Sequence, residues 1–205
     1  NQDQEKIARN LTNLGSLYFK QNNLEKTKEL YQRSLEIKKE IYGPNSPDLA
    51  IGYINFGIVL WKMNEPIGAE KNLRKGIEIN RKAYGENHVL VGDSLFNLGG
   101  FLLQQEKIKE AVDIYLQCLN IFEKNLESRQ KTAAMTHSLL GYAYERLHKD
   151  TLAIEHIKKA FDMGEELSWI QDLSDSDLVA RLRRHPSFRE LCLKVEQRTS
   201  ETRKS

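Results

Sequence analysis

The segment Tyr-Ile-Asn-Phe-Gly-Ile-Val-Leu-Trp at residues 53–61 decides the fold, because its Asn-Phe-Gly centre recurs at a fixed step along the chain. Asn-Leu-Gly stands at residues 13–15 and again at residues 97–99, in each case 42 positions away. A glycine at position 141 extends the series to a fourth copy. A fixed step of this size is the sequence signature of stacked structural repeats.

Three further columns keep the same register through all four copies, without an insertion. Two of them contain small residues and the third is apolar: Thr27, Ala69, Ala111 and Ala153; Ser34, Gly76, Cys118 and Ala160; Leu35, Ile77, Leu119 and Phe161. A glycine inside a helix costs roughly 1 kcal/mol relative to alanine, whereas two helices approach to about 8 Å only where side chains are small. The small columns therefore predict close helix crossings at a repeating position.

Each copy has the pattern of two amphipathic helices joined by a turn. In the first copy Leu11, Leu14 and Tyr18 follow the spacing of one helix face. A polar turn follows at residues 21–23, and a second apolar stripe begins at residue 30. Gly43 and Gly85 are expected to end the second helices by supplying a left-handed residue.

These motifs resemble the tetratricopeptide repeat family over roughly residues 5–167. The step of 42 and the connectors Tyr-Gly-Pro-Asn-Ser-Pro at 42–47 and Tyr-Gly-Glu-Asn-His at 84–88 are similar to the kinesin light chain variety. The resemblance implies an all-α fold, a right-handed α-α superhelix or TPR solenoid, of four helix–turn–helix repeats at about 8–49, 50–91, 92–133 and 134–167. The third connector, at residues 127–129, lacks the glycine and is expected to differ.

Past residue 167 the period ends, and a pair of C-terminal capping helices is predicted at residues 174–198. Ser174 provides an N-cap for the first helix, and Pro186 stands at the start of the second. The polar residues 199–205 are expected to form a disordered tail.

Composition and motifs argue against catalysis, cofactors, nucleic acid and membranes. The formal charge is +2, from 31 basic and 29 acidic residues, so the chain lacks the strong basic field that nucleic acid binding needs. No phosphate-binding loop, dinucleotide fingerprint or zinc-binding histidine motif is present, so no cofactor and no metal are predicted. Cys118 and Cys192 have no metal-ligand spacing and are expected to be reduced thiols in a cytoplasmic protein.

In the resembled family the first helices of the repeats line a concave groove, and here those helices have a second stripe. Its candidate peptide-binding residues are Asn13, Asn55, Asn97, Ile54, Ile58, Phe96, Lys20, Lys62, Tyr142 and Arg146. An amide offers both a donor and an acceptor to a peptide backbone. An apolar patch with polar flanks is typical of a binding surface.

Each column also has a structural interpretation. The asparagines could bond across repeats and fix the stacking. Ile58 and Trp61 could be buried against the next repeat. The cations Lys20, Lys62 and Arg146 could complement helix dipoles at C-terminal ends.

The predicted function is a non-catalytic scaffold or adaptor that binds an extended peptide of a protein partner. The resemblance implies short cargo peptides with an aromatic residue among acidic ones, which would suit Phe96 and Ile54 beside Lys62 and Arg146. Two alternatives stay open: a regulatory or sensor module of a larger enzyme or signalling ATPase, and a self-associating unit that forms a homo-oligomer through the Ile54–Phe96 zone.

Overall fold

The computed structural model describes residues 2–165 and 182–202, and every regular element in those residues is helical. A 3₁₀ turn at Pro47–Leu49 precedes the third α-helix. The α-helices are α1 Gln2–Lys20, α2 Leu24–Tyr42, α3 Ala50–Lys62, α4 Pro66–Tyr84, α5 Val89–Gln104, α6 Ile108–Glu123, α7 Leu126–Arg146, α8 Asp150–Asp162 and α9 Pro186–Thr202. The chain divides into two compact units, with α1 to α5 in the first and α6 to α9 in the second. The all-α prediction is confirmed.

One residue in the turn inside each repeat adopts a positive φ. These residues are again 42 positions apart: Asn22, Asn64, Glu106 and His148, with φ of 58°, 59°, 58° and 56°. The next amide closes the helix end, since Asn23 donates to the Tyr18 carbonyl at 2.9 Å. Asparagine adopts this conformation readily, whereas glutamate does so rarely. The turn geometry therefore dominates over residue preference at Glu106 in the third repeat.

The second helices of the first two repeats end at glycines, as predicted. Gly43 and Gly85 have φ of 80° and 86° with ψ of 162° and 163°. The positive φ was expected, but the extended ψ places both residues in a region open essentially to glycine alone rather than in the left-handed helical region. Each glycine amide donates to a helix carbonyl, Lys39 or Arg81, at 2.9 Å.

The third connector differs, as its missing glycine led us to expect. Only Lys124 and Asn125 separate α6 from α7, and α7 begins at Leu126 and runs for 21 residues. The Asn125 side chain donates to the Ile121 carbonyl at 2.8 Å, which satisfies one carbonyl at the end of α6. α7 therefore begins before the predicted start of the fourth repeat.

Within the first unit, glycines allow α3 and α4 to cross closely. A Cβ atom on Gly57 would lie 3.1 Å from the Ala69 carbonyl oxygen, and one on Gly76 would lie 2.6 Å from Ile54 Cδ1. These contacts confirm that the small columns mark helix crossings. Where α2 meets α3, Leu35 of α2 is buried in a cluster with Leu49 of the 3₁₀ turn and Ala50 of α3.

Within the second unit, α7 crosses α8 at another glycine of the same column. A Cβ atom on Gly141 would lie 2.5 Å from Ile157 Cγ1. α9 contributes Phe188 and Leu191 to a buried cluster that also contains Ile154 and Ile157 of α8. A helix therefore begins at Pro186, where the second capping helix was predicted to begin, and continues to Thr202, into the stretch predicted as a disordered tail. Residues 166–181, which include most of the first predicted capping helix, and residues 203–205 lie outside the described residues.

Candidate functional site

An open cavity of about 420 Å³ lies in the first unit and is lined by all five of its helices. Its lining combines apolar, aromatic and charged side chains. The lining residues are Glu5, Arg9, Lys38, Tyr42, Pro47, Asp48, Ala50, Ile51, Ile54, Asn80, Tyr84, Leu90, Asp93, Ser94 and Asn97. Ile51, Tyr84 and Leu90 expose 59%, 46% and 40% of their surface. Large apolar side chains left this exposed offer area for a ligand to bury.

Two cations on the lining have no acidic partner. Neither Arg9 nor Lys38 forms an ion pair with any residue that the structure describes. The nearby Tyr42 forms a hydrogen bond with Glu5. Partial burial and this hydrogen bond raise the pKa of Tyr42. Three carboxylates, Glu5, Asp48 and Asp93, also line the cavity, so an anionic group is attracted only where it lies closer to Arg9 and Lys38 than to these acids.

A buried polar network connects α4 and α5 at this cavity. The Asn80 side chain is 6% exposed and donates to Ser94 Oγ at 3.0 Å. Ser94 Oγ donates in turn to the Leu90 carbonyl at 2.7 Å. Since buried polar groups with satisfied hydrogen bonds hold one geometry, this network fixes Leu90 and Ser94 on the cavity wall.

Each of the three predicted asparagines lies one helical turn after a residue of the cavity lining. Asn97 follows Asp93 by four positions and is itself part of the lining. Its Nδ2 donates to the Asp93 carbonyl at 2.8 Å, so this donor is used within the helix. Asn55 follows Ile51 by the same step and is half-buried. Asn13 follows Arg9 and is exposed. Residues four apart share one helix face, so the stripe continues from the cavity along α1, α3 and α5.

The apolar candidates fall into two groups. Ile54, expected in the exposed stripe, is instead 4% exposed, because its side chain packs against Gly76 of α4. Although it is buried, Ile54 lines the cavity. Ile58 and Phe96 are half-buried and lie outside the lining. Trp61 is half-buried, and its Nε1–H donates to Gln104 Oε1, so part of it serves the contact with α5.

The cationic candidates are remote from the cavity. Lys20 and Lys62 are the last residues of α1 and α3, the position that the helix-dipole alternative predicts. Lys20 comes eleven positions after Arg9, about 16 Å along the helix axis. Lys62 Nζ stands 5.5 Å from the centroid of the Phe19 ring, a cation–π contact.

A family model of the tetratricopeptide repeat matches residues 6–82, 65–124 and 90–166. These overlapping stretches cover most of the chain. The chain belongs to the tetratricopeptide repeat family. The repeat fold of this family is generally non-catalytic and generally serves protein–protein interaction.

Known tetratricopeptide repeat structures are similar in fold. Kinesin light chain-like TPR repeats of Podosopora anserina superpose with a TM-score of 0.76 at 16% identity, over 98% of this chain and 99% of that one. BtubC (BKLC) from P. vanneervenii superposes with a TM-score of 0.76 at 20% identity, over 80% of this chain and 65% of that one.

A curated relative shares a shorter stretch of sequence. Histone-binding protein N1/N2 of Xenopus laevis is 35% identical over 69 residues, which is 34% of this chain. The chain covers 12% of the length of that relative.

The remaining two candidates lie in the second unit of this tetratricopeptide repeat chain and contact each other. Tyr142 and Arg146 are both exposed on α7. The Arg146 side chain donates to the Tyr142 hydroxyl at 3.0 Å, and its guanidinium stands 5.9 Å from the centre of the tyrosine ring. They form a separate exposed pair at the end of α7.

Sequence reasoning missed several features of these repeats. Arg9 and Lys38 were absent from the candidates, because each stands at a helix position where a polar residue is ordinary. Asn80 was also absent, because only the structure shows that it is buried. It also missed a contact in the fourth repeat between His137 and His156, whose Nδ1 atoms lie 2.9 Å apart. A signal was present, since His137 occupies a column that is filled by Leu11, Tyr53 and Leu95 in the other repeats.

The described residues contain no cluster of three histidine, cysteine or acidic side chains placed to ligate a metal ion. Across residues 2–165 and 182–202, no helix combines the length and apolarity needed to cross a bilayer.

Proposed function

We propose that this chain is a non-catalytic scaffold whose first unit binds an extended peptide segment of a partner protein. One observation carries the proposal: the cavity joins exposed apolar walls to two cations without ion-pair partners, Arg9 and Lys38. Ligand sites are typically concave, mainly apolar and provided with a few polar groups that orient the ligand.

The apolar walls suit one large side chain of the peptide. Ile51 and Leu90 offer exposed apolar surface on adjacent first helices, α3 and α5, and Tyr84 adds an aromatic ring. The Tyr84 ring is stacked on His88 with centroids 4.8 Å apart, so it is held in one orientation. Burying an apolar side chain contributes roughly 25 cal/mol per Å² of surface removed from water.

The cations suit an acidic group next to that side chain. Arg9 and Lys38 come from α1 and α2, on the side of the cavity away from α5. A carboxylate of the peptide gains charge-assisted hydrogen bonds there. Because Arg9 is exposed, the attraction should weaken as salt is added.

The asparagine column suits the peptide backbone. Asn55 and Asn97 lie on adjacent first helices, and the Asn97 amide oxygen has no hydrogen-bond partner among the described residues. An amide can accept from a peptide N–H and donate to a peptide carbonyl. Peptide binding is better supported than self-association through the Ile54–Phe96 zone, because Ile54 is buried.

Substitution of Asn97 tests the proposal against a matched residue. Asn72 on α4 is also half-buried, and its Nδ2 donates to the Gly68 carbonyl at 2.8 Å, as Asn97 does to Asp93. Chains carrying N97A together with N55A, or N72A alone, would be titrated with peptides that were selected from a displayed peptide library on the unmodified chain. We expect N97A, combined with N55A, to weaken binding by about tenfold, since a lost hydrogen bond to a ligand is worth about 1–2 kcal/mol.

The N72A chain should bind with unchanged affinity, because Asn72 lies outside the cavity lining. A second comparison uses R9A and K38A, which should remove most of the salt dependence of binding. If both asparagine substitutions on the groove leave the affinity unchanged while the helical content is intact, the groove is not the binding surface.

A further inference from the structure

The fourth repeat contains a buried histidine pair where the first and third repeats have aliphatic side chains and the second has Tyr53 and Asn72. His137 on α7 and His156 on α8 are 3% and 8% exposed. The same two positions contain Leu11 and Leu30 in the first repeat, and Leu95 and Ile114 in the third. A histidine pair is therefore not required for the helix crossing, and its presence in one repeat calls for another role.

The geometry of the pair leaves room for only one hydrogen between the rings. The two Nδ1 atoms lie 2.9 Å apart, and the ring centroids are separated by 5.0 Å. The Glu123 carboxylate stands 3.9 Å from His137 Nε2 and favours a proton there. His137 Nδ1 then accepts, and His156 Nδ1–H donates. If both rings were charged, two N–H groups would point at each other across this distance, and the hydrogen bond would be lost.

We infer that the His137–His156 pair is an acid-operated latch, in which proton uptake by both rings separates α7 from α8 in the fourth repeat. The inference is independent of the proposed peptide binding. Packing of α8 with α9 involves Phe161 and Phe188 as well as Ile157, which also meets Gly141 of α7, so part of the α8–α9 contact does not depend on the latch.

The surroundings of the pair resist protonation while the latch is closed. The nearby titratable and charged groups are Glu123 on α6, Tyr144 on α7, and Glu155 and Lys159 on α8. Glu155 and Lys159 pair with each other at 2.8 Å. From α9, Glu190 and Lys194 interact instead with Lys158 and Asp162 of α8. Glu155, and Glu123 at 3.9 Å from His137 Nε2, favour protonation of the pair, but burial outweighs them, because the pKa of both rings is lowered.

The direction of the pH effect follows from this burial. Burial, with the nearby His156 and Lys159, lowers the pKa of His137 to about 4, and burial also lowers the pKa of His156. Once α7 and α8 part, both rings regain the ordinary value of about 6.5. The open form therefore binds more protons between pH 6.5 and about 4. The closed form is fully favoured above pH 6.5 and loses its advantage as the pH falls.

Hydrogen exchange of the full chain between pH 7.5 and 5 tests the latch. After correction for intrinsic exchange, the opening constant of the α7 and α8 amides should rise about tenfold per pH unit below 6.5 for each proton bound. The matched variant is H137L with H156I, which places the third repeat's own residues at both positions. In that variant the pH dependence should disappear.

Two exposed or half-exposed histidines of the second unit provide controls. H148N and H185N should keep the pH dependence, although His185 lies 3.8 Å from the Asp150 carboxylate. The latch is refuted if the H137L/H156I chain opens with acid as the unmodified chain does.

If that variant does not fold, nuclear magnetic resonance of the histidine rings in the unmodified chain decides. Rings that take up protons near pH 6.5 while the α7 and α8 amides stay protected would equally refute the latch. Rings that stay neutral until those amides exchange would support it.

Discussion

The first and second repeats solve the same packing problem with different chemistry. In the first, hydroxyl groups meet where α1 crosses α2: Thr12 Oγ1 lies 2.8 Å from Ser34 Oγ, and Ser16 Oγ lies 2.9 Å from the Tyr31 hydroxyl. In the second, where α3 crosses α4, Ile54 packs directly on Gly76. Ser34 and Gly76 occupy the same column of the repeat.

The difference shows that the repeat specifies volume at this column rather than polarity. A hydroxyl is tolerated in the first repeat because Ser34 Oγ donates to the Ala8 carbonyl at 2.7 Å, and a satisfied buried polar group costs little. A glycine is tolerated in the second because close contact of the helices compensates for its low helix propensity. The two crossings should therefore respond differently to added bulk and to lost polarity.

The largest effect is expected from bulk at the glycine crossing. Gly57→Val should destabilise the chain by about 3 kcal/mol, since overpacking a tight core forces backbone shifts. The added Cβ would stand 3.1 Å from both the Ala69 carbonyl oxygen and the Leu73 amide nitrogen, and backbone atoms cannot rotate away. Urea unfolding followed by circular dichroism measures the change.

Gly68→Ala is the control for Gly57→Val. Its Cβ would meet only Leu60 Cδ1, the far end of a flexible side chain, at 3.0 Å. We expect the free energy of unfolding to change by less than about 1 kcal/mol, with helix propensity favouring alanine. Equal losses in the two variants would contradict the view that backbone contact makes Gly57 obligatory.

A smaller effect is expected from loss of polarity at the hydroxyl crossing. Ser34→Ala should cost about 1 kcal/mol, because one buried hydrogen bond is lost while the volume still suits the column. The Ala8 carbonyl keeps a donor, since Thr12 Oγ1 lies 3.0 Å from it. Thermal unfolding monitored by calorimetry checks this value. A loss as large as that of Gly57→Val would mean that the first repeat depends on its hydroxyl network rather than on volume.

The smallest effect is expected from the ion pair that connects the two repeats. Lys28 Nζ lies 2.6 Å from Glu65 Oε1, and both side chains are partly exposed. Glu65→Gln should lower the free energy of unfolding by less than about 1 kcal/mol, and 1 M salt should abolish the difference. A double-mutant cycle with Lys28→Ala isolates the pair. A coupling that survives high salt would show that the pair is more deeply buried than its exposure indicates.

Much of the fold could be predicted from individual columns. Gly57, Gly76 and Gly141 stand at helix crossings because only small side chains fit there, and this requirement leaves a visible mark in the sequence. The helix ends at Gly43 and Gly85 were likewise predictable, although their extended ψ was not. The left-handed turn residue Glu106 was missed, because the geometry that the chain imposes there runs against residue preference.

The candidate site was less predictable. Asn97 and Ile54 were chosen from their columns and do line the cavity. Lys20 and Lys62 were chosen in the same way and stand at the far ends of their helices. A column identifies a helix face, but it does not show how deep a side chain lies or which end of the helix borders a hollow. Ile54 illustrates this, since its depth depends on the glycine facing it across the crossing.

The sequence by itself determined the step of 42, the two-helix unit and the family, because close packing of helices demands small residues at regular intervals. Tertiary structure alone decided that Arg9, Ile51 and Leu90 share one cavity and that His137 meets His156. These contacts join residues on different helices, and the distances between those residues depend on the angle at which the helices cross. That angle is set by all the packed side chains together, so no single column of the repeat encodes it.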